Sequence, residues 1–266
     1  MSSTAELPGV ADLPAALRRI AENAGAAILD VYEGRVAAEA RQKADETPVT
    51  AADDAAEAVI LAALRELTPD IPVVSEEAAA AGHIPDISGG RFWLVDPLDG
   101  TREFLSRNGE FTVNIALIEG GRPVAGVVHA PALKKTWVGA GPGTARTAEG
   151  SGPPVPIRTR RQPASGAVVV ASRRHGDAAA LDRFLAGHKI GARVDAGSSL
   201  KFCLVAAGEA DLYPRFGRTM EWDTAAGHAV LLAAGGSVDR ADTGAPLTYG
   251  KAGFENPYFI ARGLPA

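Results

Sequence analysis

A small set of acidic residues stands out by its positions. Asp96-Pro97-Leu98-Asp99-Gly100-Thr101 puts two carboxylates three residues apart at the end of an apolar run, Phe92-Trp93-Leu94-Val95. Pro97 holds φ near about −65°, and Gly100 admits turns that most residues resist. A tight turn of this kind directs both carboxylates and the Leu98 carbonyl to one side. Such donors are all oxygen, which suits Mg²⁺ better than zinc or copper. Ser75-Glu76-Glu77 also closes a short apolar run, Trp222-Asp223 precedes a helical pattern, and Asp53 lies near the start of another. If these ends converge, each pair of like charges at ~4 Å costs roughly 4 kcal/mol at an effective dielectric of 20, so cations must sit between them. Asp-Pro and Asp-Gly are also ordinary turn residues, and a lone Asp caps helices more often than it binds a ligand. It is the joint occurrence that carries the argument.

The elements that would position these acids are legible as patterns. Residues 12–33 predict an amphipathic helix with Leu13, Leu17, Ile20, Ala24, Ile28 and Val31 on one stripe, Asp12 as N-cap and Gly34 as stop. A second helix is predicted from Ala52 to Leu67, capped by Thr50 and ended by Pro69. Strands are predicted at IPVVS, at FWLV running into the acidic turn, in a hairpin around Gly120-Gly121, and at residues 136–140. The Gly-, Pro- and Arg-rich stretch 141–166 predicts a domain junction. We therefore expect an N-terminal α+β domain, 1–150, carrying most of the acids, and a C-terminal α/β domain, 151–266, carrying Asp223. In the second part strands (168–172, near Arg193-Val194, ADLYP, PLTY, YFIA) alternate with helices (177–187, 198–207, 222–234).

Composition narrows the function classes. With 27 Lys+Arg against 32 Asp+Glu the net charge is −5, a poor balance for wrapping nucleic acid. The one cysteine, Cys203, excludes an intrachain disulfide and cysteine-rich metal sites. No basic start followed by an apolar run is visible, and no stretch reaches the ~18 apolar residues of a membrane span. The expectation is a cytoplasmic protein with a small-molecule ligand, no nucleic acid and no membrane span. Monomer and dimer stay equally open.

Four strings together resemble a known family. They are Pro48-Val49-Thr50-Ala51-Ala52-Asp53, Ser75-Glu76-Glu77, Asp96-Pro97-Leu98-Asp99-Gly100-Thr101 and Trp222-Asp223-Thr224-Ala225-Ala226-Gly227. Their order and types are similar to the signature of the inositol monophosphatase superfamily, Mg²⁺-dependent and lithium-sensitive phosphomonoesterases. Arg102-Glu103-Phe104, Gly109-Glu110-Phe111-Thr112-Val113-Asn114, Gly197-Ser198-Ser199-Leu200-Lys201-Phe202, Tyr213-Pro214-Arg215 and Asn256-Pro257-Tyr258-Phe259 resemble its CysQ-type branch, the 3′(2′),5′-bisphosphate nucleotidases of sulfur metabolism. The chain departs from the pattern in carrying a second acid, Asp54, beside Asp53.

The resemblance implies a five-layer α-β-α-β-α sandwich and hydrolysis of adenosine 3′,5′-bisphosphate to AMP and phosphate. An inositol or broader sugar phosphatase is the alternative. It implies two Mg²⁺ ions, one on Glu76, Asp96 and the Leu98 carbonyl, the other on Asp96, Asp99 and Asp223, with a weaker third ion using Glu76. It implies that Thr101, backed by Asp53, orients the attacking water, with Glu76 also catalytic. The substrate would meet Leu98, Asp99, Gly100, Thr101, Asp223, Ser198, Ser199, Lys201 and Arg215, with Arg173 and His175 as further candidates. The Gly100 and Thr101 amides would bind a phosphate oxygen if they open a helix, and Ser198 and Ser199 could equally cap one.

Overall fold

The computed structural model describes residues 12–34, 41–42, 48–49, 51–172 and 177–264. Arg173, His175 and Thr50 lie outside the described residues. The chain opens with α1 (Leu13–Tyr32), whose N-cap Asp12 accepts from the Ala15 amide. A two-residue pair, β1 (Arg41–Gln42) and β2 (Pro48–Val49), leads to α2 (Ala51–Leu67). Then come β3 (Val73–Ser75), α3 (Glu76–Ala80), β4 (Arg91–Asp99) and α4 (Thr101–Leu105). The hairpin β5 (Thr112–Glu119) and β6 (Arg122–Ala130) turns at Gly120-Gly121 and continues into β7 (Lys135–Ala140). The 141–166 stretch adds two short strands, β8 (Arg146–Glu149) and β9 (Val155–Pro156), to the same sheet.

The seven strands β3 to β9 lie side by side in chain order. A second, five-stranded sheet is built from β10 (Ala167–Ala171), β11 (Ile190–Asp195), β12 (Leu212–Arg215), β13 (Ser237–Arg240) and β14 (Phe259–Arg262), in the order β11-β10-β12-β14-β13. Three helices accompany it: α5 (Ala178–Leu185), α6 (Leu200–Ala206) and α7 (Ala225–Ala233).

Side-chain alternation sorts these elements into layers. Trp93, Val95, Ile115 and Leu117 face α1 and α2 on one side of the first sheet. Phe92, Leu94, Ala116 and Val128 face the other way, into a core shared with α6, α7 and Val170, Tyr213, Val238 and Phe259 of the second sheet. The far face of that sheet, Val169, Leu212 and Ile260, packs Leu185 of α5. The order is α1/α2, sheet, α6/α7, sheet, α5: the five-layer α-β-α-β-α architecture. Cys203 is buried in the middle layer.

Two expectations need correction. PLTY is not a strand; β14 is flanked by β12 and by Ser237–Arg240 instead. Pro246 has no N–H to give a ladder, so it makes only an isolated bridge to Asp239. Leu247 and Tyr249 are buried all the same, which is why the segment reads as strand-like. The short strand near Arg193-Val194 instead runs the full length of Ile190–Asp195, though mostly exposed, because it lies at the sheet edge.

The middle layer is thin because α7 rests on glycines. A Cβ at Gly139 would stand 2.5 Å from the Ala233 Cβ, and one at Gly126 would stand 2.8 Å from that of Ala229. Gly139→Ala should therefore cost about 1–3 kcal/mol through overpacking. Thermal melting followed by circular dichroism would show a lowered midpoint; an unchanged midpoint would mean that α7 shifts freely.

Candidate active site

Asp96 and Asp99 come together through a β-bulge rather than a turn. Asp96 pairs with Asn114 and Asp99 with Thr112, so β4 uses three steps where β5 uses two. In a regular strand, side chains three residues apart point to opposite faces. The extra residue restores them to one face. Pro97, which cannot donate to a ladder, sits inside the irregularity. The core records the flip: Val95 and Leu98, three apart, both lie in the α1/α2 core. The sequence expectation of a strand ending before the acidic turn is thus corrected, since β4 continues to Asp99.

β3 runs parallel to β4 with Ser75 beside Val95. That register sets Glu76, the residue after the strand, next to Asp96. Asp223 arrives from the other half of the chain, on the turn before α7. Oxygens of Glu76, Asp96 and Asp223 all lie within 4.8 Å of one another. Asp99 lies beside this trio. Its Oδ2 accepts from Ser199 Oγ at 3.1 Å and lies 3.5 Å from Asn114 Nδ2.

Ser199 ties the halves together. It is buried, and its hydroxyl also lies 2.8 Å from the Asp223 carbonyl. Ser198 Oγ donates to the Asp99 carbonyl at 2.8 Å, with Ser198 itself at φ +46°. That contact needs glycine opposite: at Gly100, φ +91°, a Cβ would meet Ser198 Oγ at 2.2 Å. The two hydroxyls thus bond Asp99 and Asp223, and Ser198 also lines the cleft expected to take substrate. Asn114 belonged to a motif string but carried no predicted role, because an asparagine inside an alternating strand does not show which group it will face.

Electrostatics follow from crowding. Burial, then Glu76, Asp99, Asp223 and Asp53, push the Asp96 carboxyl well above its ordinary range. Burial, Asp99 and Glu76 do the same for Asp223, against the Met220 amide, which donates to its Oδ2 at 2.8 Å. Asp99 is raised by burial, with Lys201 and Ser199 pulling it down. Burial brings the Lys201 ammonium down to about 8, with Asp99 opposing; Lys201 Nζ donates to the Ala196 and Ser198 carbonyls. A site made of oxygen donors that raise one another's pKa fits a hard divalent cation.

The cluster opens into a cleft of about 290 Å³. Its lining includes Leu98, Gly100 and Thr101 together with Ser198, Lys201, Tyr213, Arg215 and Arg218. Thr101 is the first residue of α4. Asp53 is buried on the first turn of α2. Arg215 donates to the Arg218 carbonyl at 3.1 Å. Leu98 sinks its side chain into the core, which anchors the bulge.

A sequence model of the inositol monophosphatase family matches residues 11–258. A Salmonella typhimurium protein named 3′(2′),5′-bisphosphate nucleotidase CysQ is 52% identical over 220 residues, covering 83% of this chain and 87% of that one. Its namesake from Escherichia coli K12 is 49% identical over 242 residues, covering 91% and 96%. Among solved structures, CysQ from Bacteroides thetaiotaomicron superposes with a TM-score of 0.79 at 37% identity, over 94% of this chain and 96% of that one. An inositol monophosphatase from Anabaena gives 0.73 at 26% identity, over 94% and 89%.

A cation held by this cluster would compete with protons for the same oxygens. A carboxyl with a raised folded pKa favours folding below its unfolded value and loses that advantage as pH rises through the folded one. Without ions, Asp96, Asp99 and Asp223 therefore destabilise the fold as pH climbs above about 4. The gap between the melting temperature in Mg²⁺ and that in EDTA should widen as pH rises from 4 to 8. A gap independent of pH would contradict the cluster as the cation site.

Proposed function

The chain belongs to the inositol monophosphatase family, and from that premise we propose that it is a Mg²⁺-dependent 3′(2′),5′-bisphosphate nucleotidase converting adenosine 3′,5′-bisphosphate to AMP and phosphate. The observation that carries the proposal is the convergence of Glu76, Asp96 and Asp223 in a cleft that Lys201, Arg215 and Arg218 also line. Relatives at about half identity along most of their length bear the nucleotidase name. The reading keeps the expectation of a cytoplasmic enzyme; among the described residues no helix is long and apolar enough to cross a membrane.

In this reading Glu76, Asp96 and the Leu98 carbonyl would hold one ion, and Asp96, Asp99 and Asp223 another. Bound there, divalent ions neutralise phosphate charge, lower the pKa of water and stabilise the departing oxygen. The side chains do the rest. Thr101 accepts a hydrogen bond from the attacking water and aims it in line at phosphorus, while Asp53 takes the Thr101 hydroxyl hydrogen. A new P–O bond forms to the water oxygen, the ester P–O bond breaks, and the proton that the water gives up ends on the departing ribose oxygen. Arg215, in the lining of the same cleft, binds the second phosphate. A fixed guanidinium grips such a group from two nitrogens, which a singly phosphorylated polyol would leave unused.

That grip predicts the substrate order. In Mg²⁺, kcat/KM for adenosine 3′,5′-bisphosphate should exceed that for inositol 1-phosphate by roughly tenfold or more. A ratio favouring inositol would reverse the assignment. Thr101→Ala should lower kcat by about 10²–10⁴ with little change in KM. A change confined to KM would make Thr101 a binding residue instead.

A further inference from the structure

The Asn256-Pro257 string lies far from the acids in sequence, and nothing in the proposed chemistry uses it. Asn256 is nonetheless buried, and both ends of its amide are engaged. Nδ2 donates to the Met220 carbonyl at 2.8 Å and to Thr224 Oγ1 at 3.0 Å. Oδ1 accepts from Lys251 Nζ at 3.2 Å. A carbonyl cannot donate and an ammonium cannot accept, so the amide fits one way round only.

These contacts bracket Asp223. Met220 supplies the N–H that Asp223 Oδ2 accepts, and Thr224 is the next residue in the chain. The carbonyl of the same Thr219–Met220 peptide accepts from the Asn256 backbone amide at 2.9 Å. Behind Asn256 the clamp is ionic. Lys251 Nζ lies 2.5 Å from Glu221 Oε1, and the fully buried Glu221 carboxylate also accepts the Gly250 and Lys251 amides at 2.7 and 2.9 Å. Residues 219–224 are thus pinned to residues 250–256 from both sides.

A pinned turn is what a crowded acid needs. Without a cation, repulsion from Glu76, Asp96 and Asp99 drives Asp223 outward, and a loose turn would yield. We propose that Asn256 is a positioning residue for Asp223: it holds the Met220–Thr224 turn so that the Asp223 carboxylate stays aimed at the cation shared with Asp96 and Asp99. This rests on the reading of Asp223 as a cation ligand. Aspartate at 256 would lose both donors and add a charge close to Glu221, and alanine would leave the Met220 carbonyl and Thr224 hydroxyl short of a partner.

The test is a cycle read by Mn²⁺ binding rather than turnover. Titration calorimetry with Mn²⁺ alone is run on the full chain, on Asn256→Ala, on Asp223→Asn and on the double variant, each well below its melting temperature in EDTA. Asn256→Ala should weaken Mn²⁺ about tenfold, in the range seen when partners that orient metal ligands are removed. Asp223→Asn should weaken it as well, and the double variant should be no weaker than Asp223→Asn alone. A lowered melting temperature with unchanged affinity would make Asn256 merely structural and overturn the inference. Equal losses with and without the Asp223 carboxylate would also overturn it. If Asp223→Asn itself leaves affinity unchanged, the ligand assignment falls, and this inference with it. Should Asn256→Ala fail to fold, Asn256→Ser, which keeps one short donor, is read the same way.

Discussion

Three carboxylates with oxygens inside 4.8 Å of one another cannot all carry charge unaided. At an effective dielectric of about 20, each such pair costs roughly 3 kcal/mol, and three pairs approach the whole folding stability of an ordinary domain. The cluster has two ways out: take up protons or take up cations. The raised carboxyls of Asp96 and Asp223 are the first. Near neutral pH the second is the more effective, since a divalent ion cancels several repulsions at once. Much of the surrounding architecture makes sense as a means of holding acids where they repel.

That holding is done by rigid pieces from both sheets. Asp96 and Asp99 sit on β4, Glu76 is set by parallel register from the neighbouring edge strand β3, and Asp223 comes on the turn before α7. The hydroxyl of Ser199, at the start of α6, reaches Asp99 and the Asp223 carbonyl together, so the middle helical layer becomes the bridge between the two acidic contributions. The thin packing of α7 on Gly126 and Gly139 brings this layer close to the first sheet. Lys201, buried against Asp99, adds one fixed positive charge near the acids, and Arg215 and Arg218 line the same cleft, where a second anionic group of a ligand would lie.

Much of this was legible in the residues. The 3.6-residue stripes of α1 and α2 depend on local sequence only, and so does the Gly120-Gly121 hairpin. The acids, too, announce themselves by type and by their place after apolar runs. The β-bulge between Asp96 and Asp99 did not, because a Pro in an acidic string signals a turn as readily as an irregular strand. Ser199 and Asn256 were visible as motif residues, but their partners lie 100 and 36 positions away, and no local rule pairs them. Pro246–Tyr249 misled in the opposite sense: its alternation is real and its side chains are buried, yet burial there comes from lying over the core rather than from joining a sheet.

Whether distant acids meet around divalent ions is tested most directly by a crystal structure grown with Mn²⁺ and phased on the manganese signal. Anomalous peaks should lie in contact with Glu76, Asp96 and Asp223 in the cleft. Peaks elsewhere on the surface, with these three side chains turned away from one another, would contradict that meeting.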